Sequence, residues 1–165
     1  MVKGTDKTKT HEAGVHIALS LLFRLGFRSA TIRGGGNNSH ILVKEGRKEV
    51  RVDVKVKGTG WKVWHFSDVG KFLTIKQEGD EQVVKGKRNI DRDTVYMFIS
   101  FNKDMGKYEF YLATAGQVQD SFAERYPGGV RPINPVTRHS TIAVDELPKH
   151  AHNKWRLINQ TLDKK

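Results

Sequence analysis

Cysteine is absent from the 165-residue sequence, which excludes disulfides, thiolate zinc sites and a cysteine nucleophile, and suits a reducing, cytoplasmic setting. Long apolar runs are missing too. The longest, residues 17–23, is interrupted by Ser20 and followed at once by Arg24, far short of the roughly 18 residues of a membrane-spanning helix. The opening residues, Met1-Val2-Lys3-Gly4-Thr5-Asp6-Lys7, are polar and lack the apolar centre of a secretory signal. No basic amphipathic helix with bulky apolar anchors stands out, so no membrane partner is expected. Carboxylates are few relative to cations: 18 Asp and Glu stand against 29 Lys and Arg, a formal net charge of +11. Each phosphate neutralised by Lys or Arg releases condensed counterions, so this excess points to nucleic acid as partner. The competing reading is a cationic surface that serves solubility alone.

What is present describes a globular chain. Hydrophobic residues make up 37% and charged residues 28%, and the length fits one domain spanning 1–165, with residues 1–9 as a flexible tail. Residues 11–25 read as a helix, because Val15, Ala18, Leu19, Leu22 and Phe23 recur at spacings of three and four. Thr10 is placed to cap it and Gly26 to stop it. Residues 27–33 read as a weak strand, and Gly34-Gly35-Gly36-Asn37-Asn38 as a loop that lacks the spacing of a P-loop. Residues 39–44 and 48–57 form a hairpin through Glu45-Gly46-Arg47. Strands are also expected at 61–66, at 94–102 as a buried central strand, and at 108–113. Between them, residues 72–93 promise one short strand and then a mobile connection. Thr114 caps a helix reaching about Arg125, with Val118 and Phe122 facing inward. All four prolines fall between positions 127 and 148, which reads as a loop-rich crossover. A last helix over 152–162 buries Trp155, Ile158 and Leu162. The fold class is α/β, a central mixed β-sheet flanked by helices.

Strand 48–57 carries the most chemistry. Val50, Val52, Val54 and Val56 alternate with Arg51, Asp53, Lys55 and Lys57, so Asp53 and Lys55 share a face about 6.5–7 Å apart. An acidic group that holds a divalent cation, beside a lysine that positions water or neutralises charge, is what metal-dependent phosphodiester cleavage requires. A half-buried strand with an ordinary charged outer face gives the same pattern.

The order of elements resembles the PD-(D/E)XK nuclease superfamily: a helix, a glycine loop, the strand Ile41-Leu42-Val43, a hairpin, then Val52-Asp53-Val54-Lys55. Tyr96-Met97-Phe98, Phe110-Tyr111-Leu112 and Asn153-Lys154-Trp155 are similar to later features of small bacterial members, and the likeness runs from about Glu12 to Leu162. It implies a restriction-endonuclease-like core and a DNA endonuclease dependent on Mg²⁺ or Mn²⁺. Asp53 would match the second acidic position, Lys55 the catalytic lysine, and Glu12 the acid of the first helix. The first acidic position should directly precede Ile41, where the sequence has His40. Losing that carboxylate weakens a hard-cation site, although histidine binds Mn²⁺ and other transition metals. Asp68 is a possible substitute ligand.

DNA contacts are expected first from Arg33, Lys44, Arg47, Lys48, Arg51, Lys57 and Lys62, which surround the hairpin and glycine loop. Nucleases that cut both strands often pair, so a homodimer is compatible with this reading. Two alternatives accompany it: a catalytically silent module that binds DNA or RNA, and a subunit of a defence or mobile-element complex, the latter by family analogy alone.

Overall fold

A computed structural model describes residues 6–58, 62–101, 107–126, 130–131 and 138–165. Helix α1 (Asp6–Arg24) leads into strands β1 (Thr31–Arg33), β2 (His40–Glu45) and β3 (Lys48–Lys57). The helix starts ahead of the expected cap: Thr10 lies inside it, and residues 7–9, read from sequence as tail, are helical. After β3 come β4 (Val63–Phe66), β5 (Leu73–Glu78), β6 (Glu81–Lys87), β7 (Val95–Phe101) and β8 (Tyr108–Thr114). Helix α2 (Ala115–Glu124), β9 (Val130–Arg131), β10 (Ser140–Ala143) and helix α3 (Arg156–Asp163) complete the chain. The tail residues 1–5, Trp61, the expected turn at 103–106 and most of the proline-rich stretch lie outside the described residues.

Five strands form a mixed sheet in the order β1-β2-β3-β7-β8. All neighbours are antiparallel except β3 and β7, which run parallel with Asp53 opposite Tyr96 and Lys55 opposite Phe98. Alternation along the strands sends side chains to two different layers. On one face, Val50, Val52 and Val54 of β3 and Met97 and Ile99 of β7 pack under Val15, Ala18 and Leu22 of α1 and Ile158 and Leu162 of α3. On the other, Phe98 and Tyr111 meet Trp64, Phe66, Phe72, Val118, Phe122 and Ile142. Strand β7 is therefore covered on both faces, as its near-continuous apolarity requires.

The second layer is aromatic at its centre. Trp64 lies 5.1 Å from Phe98 and donates its indole N–H to the Ile99 carbonyl at 3.0 Å. Phe66 meets Phe122 edge-on at 5.2 Å; such pairs are each worth about 0.5–1.5 kcal/mol beyond burial. Thr114 caps α2 as expected: its hydroxyl accepts from the Gln117 N–H, and the Gln117 side chain accepts from the Thr114 N–H.

Three further expectations change. Residues 72–93 are not a mobile connection but hold the β5–β6 hairpin, which closes on Glu78 opposite Glu81. Gly79 there has φ +60°, which a type II′ turn requires at its first central position. The proline-rich stretch contains β10, paired antiparallel with β4. Helix α3 begins at Arg156, because the chain first runs along β8, joined to it by a bridge between Tyr111 and His152.

Candidate functional site

Strand register brings the charged face of β3 into a row. Arg33 stands opposite His40, His40 opposite Asp53, and Asp53 opposite Tyr96. Cross-strand partners share a face with Cα atoms about 4.5–5.5 Å apart, so these side chains from four strands are neighbours. The aromatic layer stops short of the row and leaves a cleft of about 410 Å³. It is lined by Phe66, Phe72, Asp68 and Lys71, from β4 and the turn after it, and by Asn37, Asn38 and Ser39 at the lip before β2. Gly34 sets the shape of that lip. Its φ is +74°, and a Cβ there would lie 2.7 Å from the Asn38 carbonyl oxygen, so only glycine fits.

Helix α1 contributes His11, not Glu12. At 100° per residue, turning His11 toward the sheet turns Glu12 outward, and Glu12 is exposed and outside the cleft. Close contact of α1 with β3 fixes this: a Cβ on Gly14 would lie 2.3 Å from Val56 Cγ2. His11 Nε2 is 3.2 Å from the Ser39 carbonyl, to which it donates. A signal for His11 existed in the sequence, since it falls four residues before Val15 on the apolar stripe of α1.

Charge in the cleft is unevenly hydrated. The Lys55 ammonium lies 4.7 Å above the Phe66 ring. Burial lowers its pKa from the usual lysine value; Asp53 opposes that shift and Lys71 adds to it. Burial also lowers the pKa of His11, against the pull of the Ser39 carbonyl, with Lys55 reinforcing the drop. Burial and the Asp53 charge push the Tyr96 phenol up. Arg51 donates from Nε to Asp53 Oδ1 at 2.8 Å, and Asp68 accepts from the Gly70 N–H at 2.8 Å to cap a short 3-10 turn. His40 Nδ1 lies 3.4 Å from the Asn38 carbonyl, a long and exposed contact.

Of the residues singled out from sequence, Asp53, Lys55, His40, Asp68 and Arg51 line the cleft. Arg33 flanks it through its register with His40. The other cations are elsewhere. Lys44 pairs with Glu49 at 3.5 Å, Arg47 and Lys48 line a separate hollow at the hairpin tip, and Lys57 lies beyond Lys55 on β3. Lys62 bonds Glu109 at 3.0 Å near β8. Lys71 was missed; its position depends on the turn after β4, which no local pattern encodes.

Donor chemistry decides which ion the cleft suits. Asp53 and His40 face each other across β2 and β3, one carboxylate and one imidazole. Among the described residues no three His, Asp or Glu side chains converge on one point. Mg²⁺ is commonly held by one or two carboxylates with substrate phosphate and water completing its shell, and an imidazole in place of a carboxylate shifts the preference toward Mn²⁺. By themselves Asp53 and His40 supply only two of the donors such an ion takes. No family model, curated protein or solved structure matches the chain.

Proposed function

We propose that the protein is nuclease-like, with a restriction-endonuclease-like core, and that its cleft binds and hydrolyses a phosphodiester of DNA. The observation that carries this is the row itself: Asp53 and Lys55 share one face of β3 within a cleft, and His40 stands in register opposite Asp53. Lys55 and Lys71 line the cleft with positive charge beside the Arg51–Asp53 pair, where a phosphate would be held. Hydrolysis forms a P–O bond to a water oxygen and breaks the P–O bond to the departing sugar oxygen, which takes up a proton. Lys55, partly desolvated over Phe66, neutralises charge as it develops on the phosphoryl oxygens, where low hydration strengthens the interaction. Asp53 and His40 would hold the divalent ion, which polarises the phosphate and acidifies a water when bound.

Binding without cleavage is the second reading. It is favoured by the Arg51 contact to Asp53 Oδ1 and by an imidazole where the resemblance calls for a carboxylate. Nicking of supercoiled plasmid in Mn²⁺, Mg²⁺ or EDTA separates the two. Cleavage predicts nicking in Mn²⁺ above that in Mg²⁺, none in EDTA, and at least a hundredfold loss in Asp53→Asn and Lys55→Ala. Salt-sensitive binding with no nicking in either metal would establish the binding module instead.

A further inference from the structure

Another concave surface lies on the β8 edge of the sheet, of about 560 Å³ and lined by Lys149, His150, His152, Lys154, Trp155 and Arg156 together with Asn153. No acidic residue occurs from 149 to 162, and none lines the hollow. The one acid of β8, Glu109, is paired with Lys62 at 3.0 Å. Many cations elsewhere are paired with carboxylates: Lys44, Arg51, Lys85, Lys87, Arg92, Arg125, Lys164 and Lys165 all have partners. Lys149, Lys154 and Arg156 have none among the described residues.

The backbone beneath these charges is held firmly. Leu112 N–H donates to the Ala151 carbonyl at 2.9 Å, Asn153 N–H to Phe110 at 2.9 Å, and Ala151 N–H to Pro148 at 2.8 Å. Asn153 takes φ +50°, the one positive φ among described non-glycine residues, and that turn presents Lys154 and Trp155. The Trp155 indole rests on Phe110 at 5.2 Å and remains half-buried in the hollow. A fixed aromatic wall ringed by unpaired cations is the combination that binds a single nucleic-acid strand: charge follows the backbone and a base stacks on the ring.

We propose that this hollow is a second nucleic-acid contact, taking a single strand with phosphates on Lys149, Lys154 and Arg156 and a base against Trp155. It rests on the reading of the protein as a nucleic-acid binder, not on cleavage. It is also separate from the cleft. Lys55, Phe98, Tyr111 and His152 occupy successive register positions, which puts His152 about 14 Å from Lys55 at the usual strand spacing. The packing of Trp64 on Phe98 and Tyr111 lies between them.

The test is binding of a labelled oligothymidylate and of a short duplex across a salt series, read by fluorescence anisotropy. It compares wild type, Lys149→Ala/Lys154→Ala/Arg156→Ala, and a cleft variant, Lys55→Met/Lys71→Gln. Removing three phosphate contacts should lower the log–log salt slope for the single strand by about 2. Trp155→Leu should weaken the single strand several-fold and the duplex little, while Trp155→Phe retains binding. A triple variant with wild-type affinity and slope overturns the proposal. If the cleft variant alone loses binding, the cleft reading survives without this second contact; if wild type binds neither oligonucleotide, both fail.

Discussion

At the scale of single residues, Lys55 shows a conflict between stability and function. Its ammonium is partly desolvated over Phe66, which lowers its pKa. Between that lowered value and the usual 10.5, the unfolded chain holds a proton that the native protein does not, so stability climbs with pH across the window. Lys55→Met places a thioether over the ring and removes the desolvated charge. Urea unfolding at pH 7 should show a gain of about 1 kcal/mol, and the advantage should shrink as pH approaches 10.5. An unchanged or lower stability would mean that the ammonium is well solvated. This residue was legible from the alternation along β3. Its aromatic floor was not, because Phe66 arrives from another strand.

At the scale of elements, the placement of α1 against β3 governs what enters the cleft. Gly14 allows the approach, with a Cβ there falling 2.3 Å from Val56 Cγ2. Gly14→Ala should favour the helix by about 1 kcal/mol through propensity, yet cost about 1–3 kcal/mol by overpacking against a branched, stiff side chain. The net expectation is a loss, and Val56→Ala in the same chain should recover it; an additive double-mutant cycle would contradict the contact. Period and alternation made α1, β2, β3, β7 and α2 readable. The β5–β6 hairpin was missed because Lys, Gln and Glu dominate it, although Gly79-Asp80 offers a two-residue turn signal between its arms. Strand β10 was obscured by the prolines before and after it. The bounds of α1 and α3 shifted because propensity does not register how a helix end packs.

At the scale of the whole molecule, the excess of positive charge was plain in the composition, but its distribution was not. Several cations assigned to DNA contact from their sequence neighbours are paired or distant: Lys44 with Glu49, Lys62 with Glu109, Arg47 and Lys48 at the hairpin tip. In the cleft, Lys55 and Lys71 stand beside the Arg51–Asp53 pair, and a second group of cations, Lys149, Lys154 and Arg156, lines the hollow on the β8 edge. The register of β3 against β7 assembles the cleft from distant parts of the chain, and no local pattern encodes that pairing. Glu12 shows the cost of placing a residue by resemblance, since the neighbouring His11 occupies the position facing the sheet. No helix among the described residues is long and apolar enough to cross a membrane.

The central claim is that the cleft at Asp53 and Lys55 receives a phosphodiester. An amide-resolved NMR titration of the metal-free protein with a short DNA oligomer addresses it directly. Occupancy of the cleft predicts saturable, salt-sensitive shifts at residues 33–40, 51–55 and 66–72, lost together in Lys55→Met/Lys71→Gln. A complex that forms while those amides stay unmoved, or no complex at low salt, would contradict it.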